Sequence, residues 1–125
     1  MNRFVLIAIG AILGANARYL VGLWAGARLG AGFPYGTLIV NITGSCALGF
    51  LLAATGRLSV SPELRLFCGV GFLGTYTTFS SYAVESLTLL ENGSVWKALI
   101  NVFANNLVGL ASALVGLYLA RLVGG

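Results

Sequence analysis

The sequence predicts an all-α membrane protein, and three features carry that prediction. Of the 125 residues, 58% are hydrophobic and only 8% are charged, and the mean hydropathy is +0.96. Because a soluble domain carries about 25% charged residues, this chain has too few polar side chains to cover a surface that faces water. The apolar residues also form four stretches, each with the roughly 20 residues that a helix needs to cross a bilayer.

The predicted spans are residues 4–24, 36–54, 64–90 and 96–122, within a single domain that covers residues 1–125. Short connections rich in Gly, Pro, Ser and Asn separate the spans, so consecutive spans should form helical hairpins. Before the third span, Ser61 has the character of an N-cap, Pro62 suits the first helical position, and Glu63 suits the first turn.

The basic residues lie mostly near span ends, which is typical of anchors at lipid headgroups rather than of a nucleic-acid-binding surface. If the N-terminus lies on the inner side of the membrane, that side carries Arg3, Arg57, Arg65 and Arg121. The outer side then carries Arg28 and Lys97. An excess of four over two is a weak orienting signal, and it is compatible with insertion in both directions.

The third span is longer than a crossing requires, and its middle is rich in hydroxyls. Seven of the eight side chains in residues 75–82 bear a hydroxyl, and three glycines, Gly69, Gly71 and Gly74, precede them. Glycine weakens a helix, and Ser and Thr offer the backbone alternative hydrogen bonds. The pattern predicts a helix broken at mid-membrane, where non-helical backbone persists only if protein or a polar cavity satisfies it.

At 100° per residue, the hydroxyl-rich segment sorts into two faces. One face is predicted to hold Thr75, Phe79, Tyr82 and Ser86, and the opposite face Thr77, Ser81, Glu85 and Thr88. Aromatic ring edges are electropositive, and hydroxyls and amides donate hydrogen bonds. Such a donor-rich path with little charge suits a small, strongly hydrated anion that must exchange water for other hydrogen bonds.

The ionisable residues do not assemble into a catalytic site. The chain has no His and only three acidic residues, of which Glu63 and Glu91 lie in or beside loops. Neither an acid–base pair nor an activated nucleophile can be formed, so the sequence excludes an enzyme. Polar residues within the membrane are costly and mark functional positions. They are Arg18, Asn41, Glu85, Asn105 and Asn106.

Three motifs resemble the Fluc (CrcB) fluoride channel family: GANARYLVG at 14–22, GTLIVNITGS at 36–45 and GFLGTYTTFSSYAVE at 71–85. Their order, their spacing and the four-span layout extend the resemblance over essentially the whole chain. The resemblance implies a fluoride-selective channel of the cell membrane that exports fluoride. The lack of His and of paired carboxylates favours passive flow over proton-coupled transport. The resemblance also implies an antiparallel dual-topology dimer with a structural sodium ion at its centre. A homodimer is expected, with a heterodimer formed with a paralogue as the alternative.

The resemblance also assigns roles to matching residues. The predicted fluoride pore comprises Thr37, Asn41, Phe79, Ser80, Ser81, Tyr82 and Asn105. Glu85 and Thr78 are predicted to belong to a polar track that gates the pore, and Arg18 is given a structural role. The backbone carbonyls of Gly74 and Thr77 match the positions that hold sodium.

The chain departs from the family pattern at three places. The second ring of the family's phenylalanine pair is Tyr82, and Thr75 and Tyr76 replace a more usual Gly-Leu. In the fourth span, an ungapped alignment places the family's Gly-Ser on Val108 and Gly109, so the pore serine is absent. The nearby candidates to replace it are Ser112 and Asn105.

Two other functions compete with a fluoride channel. A small dual-topology multidrug exporter needs a carboxylate on the first span to exchange protons for a cationic drug, but that span carries Arg18 and no acid. Glu85 could supply this carboxylate only from a different helix, since it lies in the third span. A purely structural membrane subunit would leave the costly hydrogen-bond donors of the third span unexplained.

Overall fold

The computed structural model describes all 125 residues, and every regular element in it is helical. The first two helices are α1 (Arg3–Leu29) and α2 (Tyr35–Thr55). They are followed by α3 (residues 62–76), α4 (Phe79–Glu91) and α5 (Val95–Val123). The all-α prediction is therefore confirmed. Three of these helices, α1, α2 and α5, are each long and apolar enough to cross a membrane.

Local sequence signals account for several helix ends. Ser61 Oγ accepts a hydrogen bond from the Leu64 amide at 3.1 Å, and Pro62 occupies the first turn of α3, as predicted. Gly30 follows α1 with φ +89°, a left-handed conformation that glycine adopts without steric cost. The predicted span ended at residue 24, but α1 continues to Leu29 because the helix tolerates Gly26 and ends only at Gly30.

Two helices contain π-helical segments, in which each amide donates to the carbonyl five residues earlier and the turn is wider than in an α-helix. In α3 the segment is Leu66–Leu73, between Pro62–Arg65 and Gly74–Tyr76. In α5 it is Ala104–Val108, between Val95–Phe103 and Gly109–Val123. The segment in α5 holds two adjacent asparagines, and it therefore bears on the candidate site.

Glycines bring the helices into close contact in two pairs. Between α1 and α3, a Cβ on Gly71 would lie 2.7 Å from the Ile7 carbonyl oxygen, and one on Gly14 would collide with the Phe72 carbonyl. Between α2 and α5, a Cβ on Gly116 would collide with the Cys46 carbonyl. Small residues thus allow backbone-to-backbone packing, as is common between membrane helices.

Most of the surface is apolar, and no other part of the same chain covers it. Only 16 of the 125 residues are buried, and large apolar side chains are exposed along all the long helices. Water would not tolerate an exposed apolar area of this extent. Lipid or a second chain must therefore cover it.

We expect Gly14→Ala to destabilise the protein by about 1–3 kcal/mol, because the added methyl group must displace the α3 backbone. Gly26→Ala is the matched control in the same helix, because a Cβ at Gly26 would meet no atom within 4 Å. Thermal unfolding in detergent measures both variants. Equal melting temperatures for the two variants would contradict the packing described here.

Candidate functional site

The segment predicted as the third span is divided into two helices, α3 and α4. α3 ends at Tyr76, and the next two residues are extended, with φ −81° and ψ 157° at Thr77 and φ −150° and ψ 121° at Thr78. α4 then begins at Phe79, with Thr78 Oγ1 as its N-cap, accepting from the Ser81 amide at 3.2 Å. Two extended residues leave backbone groups that no helix satisfies.

Asn41 on α2 satisfies the backbone groups of Thr78 that no helix pairs. Its Oδ1 accepts a hydrogen bond from the Thr78 amide at 2.8 Å, and its Nδ2 donates to the Thr78 carbonyl at 3.0 Å. A second hydrogen of the same Nδ2 donates to Asn105 Oδ1 at 2.9 Å. Both amide hydrogens of Asn41 are thus used within the chain, one for the interrupted backbone and one for α5.

The hydrogen bonds continue along α5 and return to α4. Asn105 Nδ2 donates to the carbonyl and to the Oδ1 of Asn101, at 2.8 and 2.9 Å. Asn101 is fully buried and donates to Ser86 Oγ at 2.9 Å. Asn101 was not among the predicted site residues. Its only signal in the sequence was the four-residue spacing from Asn105, which packing alone could also explain.

A cavity of about 230 Å³ lies beside the interruption. Six of its eight lining residues are polar, and the full set is Asn41, Ser45, Thr77, Thr78, Phe79, Tyr82, Asn105 and Asn106. The rings of Phe79 and Tyr82 meet edge to face, with their centroids 5.4 Å apart and their planes at 65°. The structure thus brings four predicted pore residues together around one space: Asn41, Phe79, Tyr82 and Asn105.

The remaining predicted pore residues lie on the other side of α4. Thr37 Oγ1 donates to Glu85 Oε1 at 2.7 Å, while Glu85 Oε2 is buried without a partner. Ser80, Ser81 and Glu85 line one cleft. Arg18, Thr37, Thr78 and Ser81 line a neighbouring cleft of about 360 Å³. Thr78 lines both this cleft and the cavity, so the interruption itself separates the two polar regions.

The predicted assignment of residues to two helix faces is correct within α4. It is wrong for Thr75 and Thr77, which precede α4. Phe79 and Tyr82 face the cavity, while Ser81 and Glu85 face the clefts. Thr77, however, lines the cavity instead of the opposite face. Thr75 donates to the Ala11 carbonyl on α1 at 3.1 Å and does not share the face of Phe79. The extended residues reset the helical phase, so a constant 100° per residue does not hold across them.

The interruption also frees two carbonyl oxygens. In a continuous helix the Thr78 amide would donate to the Gly74 carbonyl, but here it donates to Asn41. Likewise, the Ser81 amide donates to Thr78 Oγ1 instead of to the Thr77 carbonyl. The chemistry of these two oxygens, neutral acceptors at the C-terminal end of α3, suits a hard cation such as sodium.

Of the two candidates to replace the absent serine of the fourth span, only one lies in the cavity. Ser112 Oγ donates to the Gly109 carbonyl in its own helix at 2.8 Å, and Ser112 does not line the cavity. Asn105 does line it. Asn106, adjacent to Asn105, also reaches the cavity through the π-helical segment, and the sequence alone did not place it there.

Comparison with known proteins identifies close relatives over nearly the full length. Residues 5–117 match the family model described as "CrcB-like protein, Camphor Resistance (CrcB)". The chain is 48% identical over 120 residues to the fluoride-specific ion channel FluC of Roseiflexus sp. (strain RS-1), covering 95% of this chain and 97% of the relative.

Two further relatives carry the same name. The protein from Trichormus variabilis is 46% identical over 122 residues, covering 96% of this chain and 89% of the relative. The protein from Chloroflexus aurantiacus is 42% identical over 127 aligned positions, covering all of both chains.

We expect Asn41→Ala to destabilise the fold by at least about 2 kcal/mol, because it leaves the Thr78 backbone without partners. Asn16→Ala is the matched control, since Asn16 is exposed and donates only to the Ile12 carbonyl of its own helix. Its effect should stay within about 0.5 kcal/mol. Chemical or thermal unfolding in detergent gives both values, and a mild effect at Asn41 would show that the interruption does not depend on it.

Proposed function

Since this chain belongs to the CrcB-like family, we propose that it is a fluoride-specific ion channel, as its named relatives are. It is a multi-pass membrane protein, in accordance with its long apolar helices. The observation that carries the proposal is the polar cavity at the interrupted helix, lined by hydroxyls, amides and two aromatic rings. No acidic side chain lines this cavity, so no full negative charge in its lining repels an anion.

The cavity suits an ion that gives up water on entry. A dehydrated anion needs hydrogen bonds or positive ring edges in place of its hydration shell. Phe79 and Tyr82 provide ring edges, and hydroxyls and amides surround them. The lining includes no His, Asp or Glu to carry a proton with the ion. Fluoride therefore flows passively down its gradient, and no enzymatic step is involved.

The clefts on the other side of α4 form the polar track. Ser80, Ser81 and Thr37 lead to the carboxylate of Glu85, and Thr78 connects this track with the cavity. Arg18, which lines the same cleft, supplies a positive charge near the track. A multidrug exporter is disfavoured, because α1 carries no carboxylate and Glu85 is already hydrogen-bonded to Thr37.

A second copy of the chain completes the pore. The Phe79 side chain is 76% exposed, although it borders the cavity. One chain alone therefore leaves the ring-lined side of the path open to its surroundings. An antiparallel copy would cover this side as well as the exposed apolar surface, and it would form two pores related by a twofold axis. Two identical chains suffice, and a paralogue could replace one of them.

Sodium would sit where the two copies meet. The carbonyl oxygens of Gly74 and Thr77 have lost their helical amide donors, so two copies present four such oxygens. A bound sodium ion would neutralise the negative ends of the two α3 helices. The ion would be structural, and it would not be transported.

The proposed function predicts rapid fluoride efflux from liposomes that contain the purified protein, with no matching chloride efflux. Phe79→Ile should reduce the fluoride flux by about tenfold, because it replaces a ring edge with an aliphatic group. Phe4→Ile is the control, since Phe4 is equally exposed but lies at the start of α1. Wild-type liposomes that retain fluoride as empty ones do would refute the channel.

The dimer predicts two orientations in the membrane. Reporter fusions after Gly125 should give both cytoplasmic and external signals, because the basic residues orient the chain only weakly. Two lysines added to the connection after α1 should shift the balance to one orientation. A single orientation in the unmodified protein would contradict a homodimer and point to a paralogous partner.

A further inference from the structure

The hydrogen-bond donors of the cavity are mostly committed to the protein. The amide hydrogens of Asn41 go to Thr78 and Asn105, and those of Asn105 go to Asn101. The Thr77 hydroxyl donates to the Leu73 carbonyl at 3.0 Å. An anion that enters the cavity cannot take these donors without breaking bonds that hold the interrupted helix.

The Tyr82 hydroxyl is arranged differently. It accepts a hydrogen bond from Asn106 Nδ2 at 2.8 Å. The other Nδ2 hydrogen of Asn106 goes to the Val102 carbonyl, also at 2.8 Å. Because Asn106 is the donor in this contact, it fixes the phenol oxygen and leaves the phenol proton free. Both residues line the cavity, and the Tyr82 ring packs edge to face on Phe79.

The π-helical segment Ala104–Val108 makes this arrangement possible. Asn105 and Asn106 are consecutive, yet one contacts Asn41 on α2 and the other contacts Tyr82 on α4. The wider turn allows neighbouring side chains to reach the same cavity. One asparagine thus supports the interrupted backbone, and the next positions the phenol.

We infer that the Tyr82 hydroxyl, positioned by Asn106, donates a hydrogen bond to the permeating anion and takes the place of the hydroxyl that Gly109 lacks. This inference rests on the proposed fluoride channel and adds to the ring-edge role of Tyr82. The only other hydroxyl in the cavity lining that donates to no protein group is that of Ser45 on α2. A phenol is the stronger donor of the two, since it is more acidic than an aliphatic alcohol.

The test is Tyr82→Phe, which keeps the ring and removes only the hydroxyl. With purified protein in liposomes, we expect the initial rate of fluoride efflux to fall at least about tenfold, as for the loss of a hydrogen bond to a charged group. Tyr118→Phe is the matched control, because Tyr118 is 59% exposed near the end of α5 and outside the cavity. It should conduct as the wild type does.

The outcomes separate the two proposals. If the wild type carries no fluoride, the channel function itself fails. If the wild type and Tyr82→Phe carry fluoride at equal rates, the channel stands and the role of the hydroxyl is wrong.

Asn106→Leu tests the positioning role and provides a second route should Tyr82→Phe fail to assemble. Alone, it should also slow fluoride efflux, because the phenol oxygen loses its donor. Combined with Tyr82→Phe, it should add little further loss, since Asn106 acts through the hydroxyl. Losses that multiply in the double variant, or an unchanged rate in Asn106→Leu alone, would overturn the positioning role.

Discussion

The chain is extended at Thr77 and Thr78 between α3 and α4, and one side chain on α2 satisfies the backbone there. Asn41 pairs with both the amide and the carbonyl of Thr78, much as a neighbouring strand would. Leaving these groups unpaired in an apolar surrounding would cost several kcal/mol, on the order of the net stability of a small domain. The rest of the site depends on this contact. It ends α3 at Tyr76, resets the phase of α4, and releases the carbonyls of Gly74 and Thr77.

In the proposed channel, the polar groups of the site divide between structural contacts and contacts with the ion. The side-chain amides of Asn41, Asn105 and Asn101 form hydrogen bonds that hold α2, α4 and α5 together. The aromatic rings and the phenol hydroxyl of Tyr82 remain available to an ion. This division explains how a path can offer hydrogen bonds to an anion without losing its shape. The amides that fix the cavity wall need not be the groups that replace water.

Composition and the lengths of the apolar stretches were sufficient to predict an all-α membrane fold, and the Ser61 start signal was predicted correctly. Asn41 was indicated as a polar residue in an apolar span, and Phe79 was indicated by the family resemblance. The position of Thr77 relative to Phe79 could not be predicted, because helical periodicity fails across two extended residues. The presence of Asn106 beside Asn105 in the cavity was equally unpredictable, since no residue pattern in α5 signals a π-helical turn.

The contacts of Asn41 with Thr78 keep Thr77 and Thr78 extended between α3 and α4. The most direct test is an experimental structure of the assembled protein, solved in sodium and fluoride at a resolution that shows side-chain amides. The account predicts two extended residues after Tyr76, both Asn41 contacts to Thr78, and density for a cation between the freed carbonyls of two copies. A helix that continues unbroken through residues 74–80, with Asn41 turned away from Thr78, would contradict it.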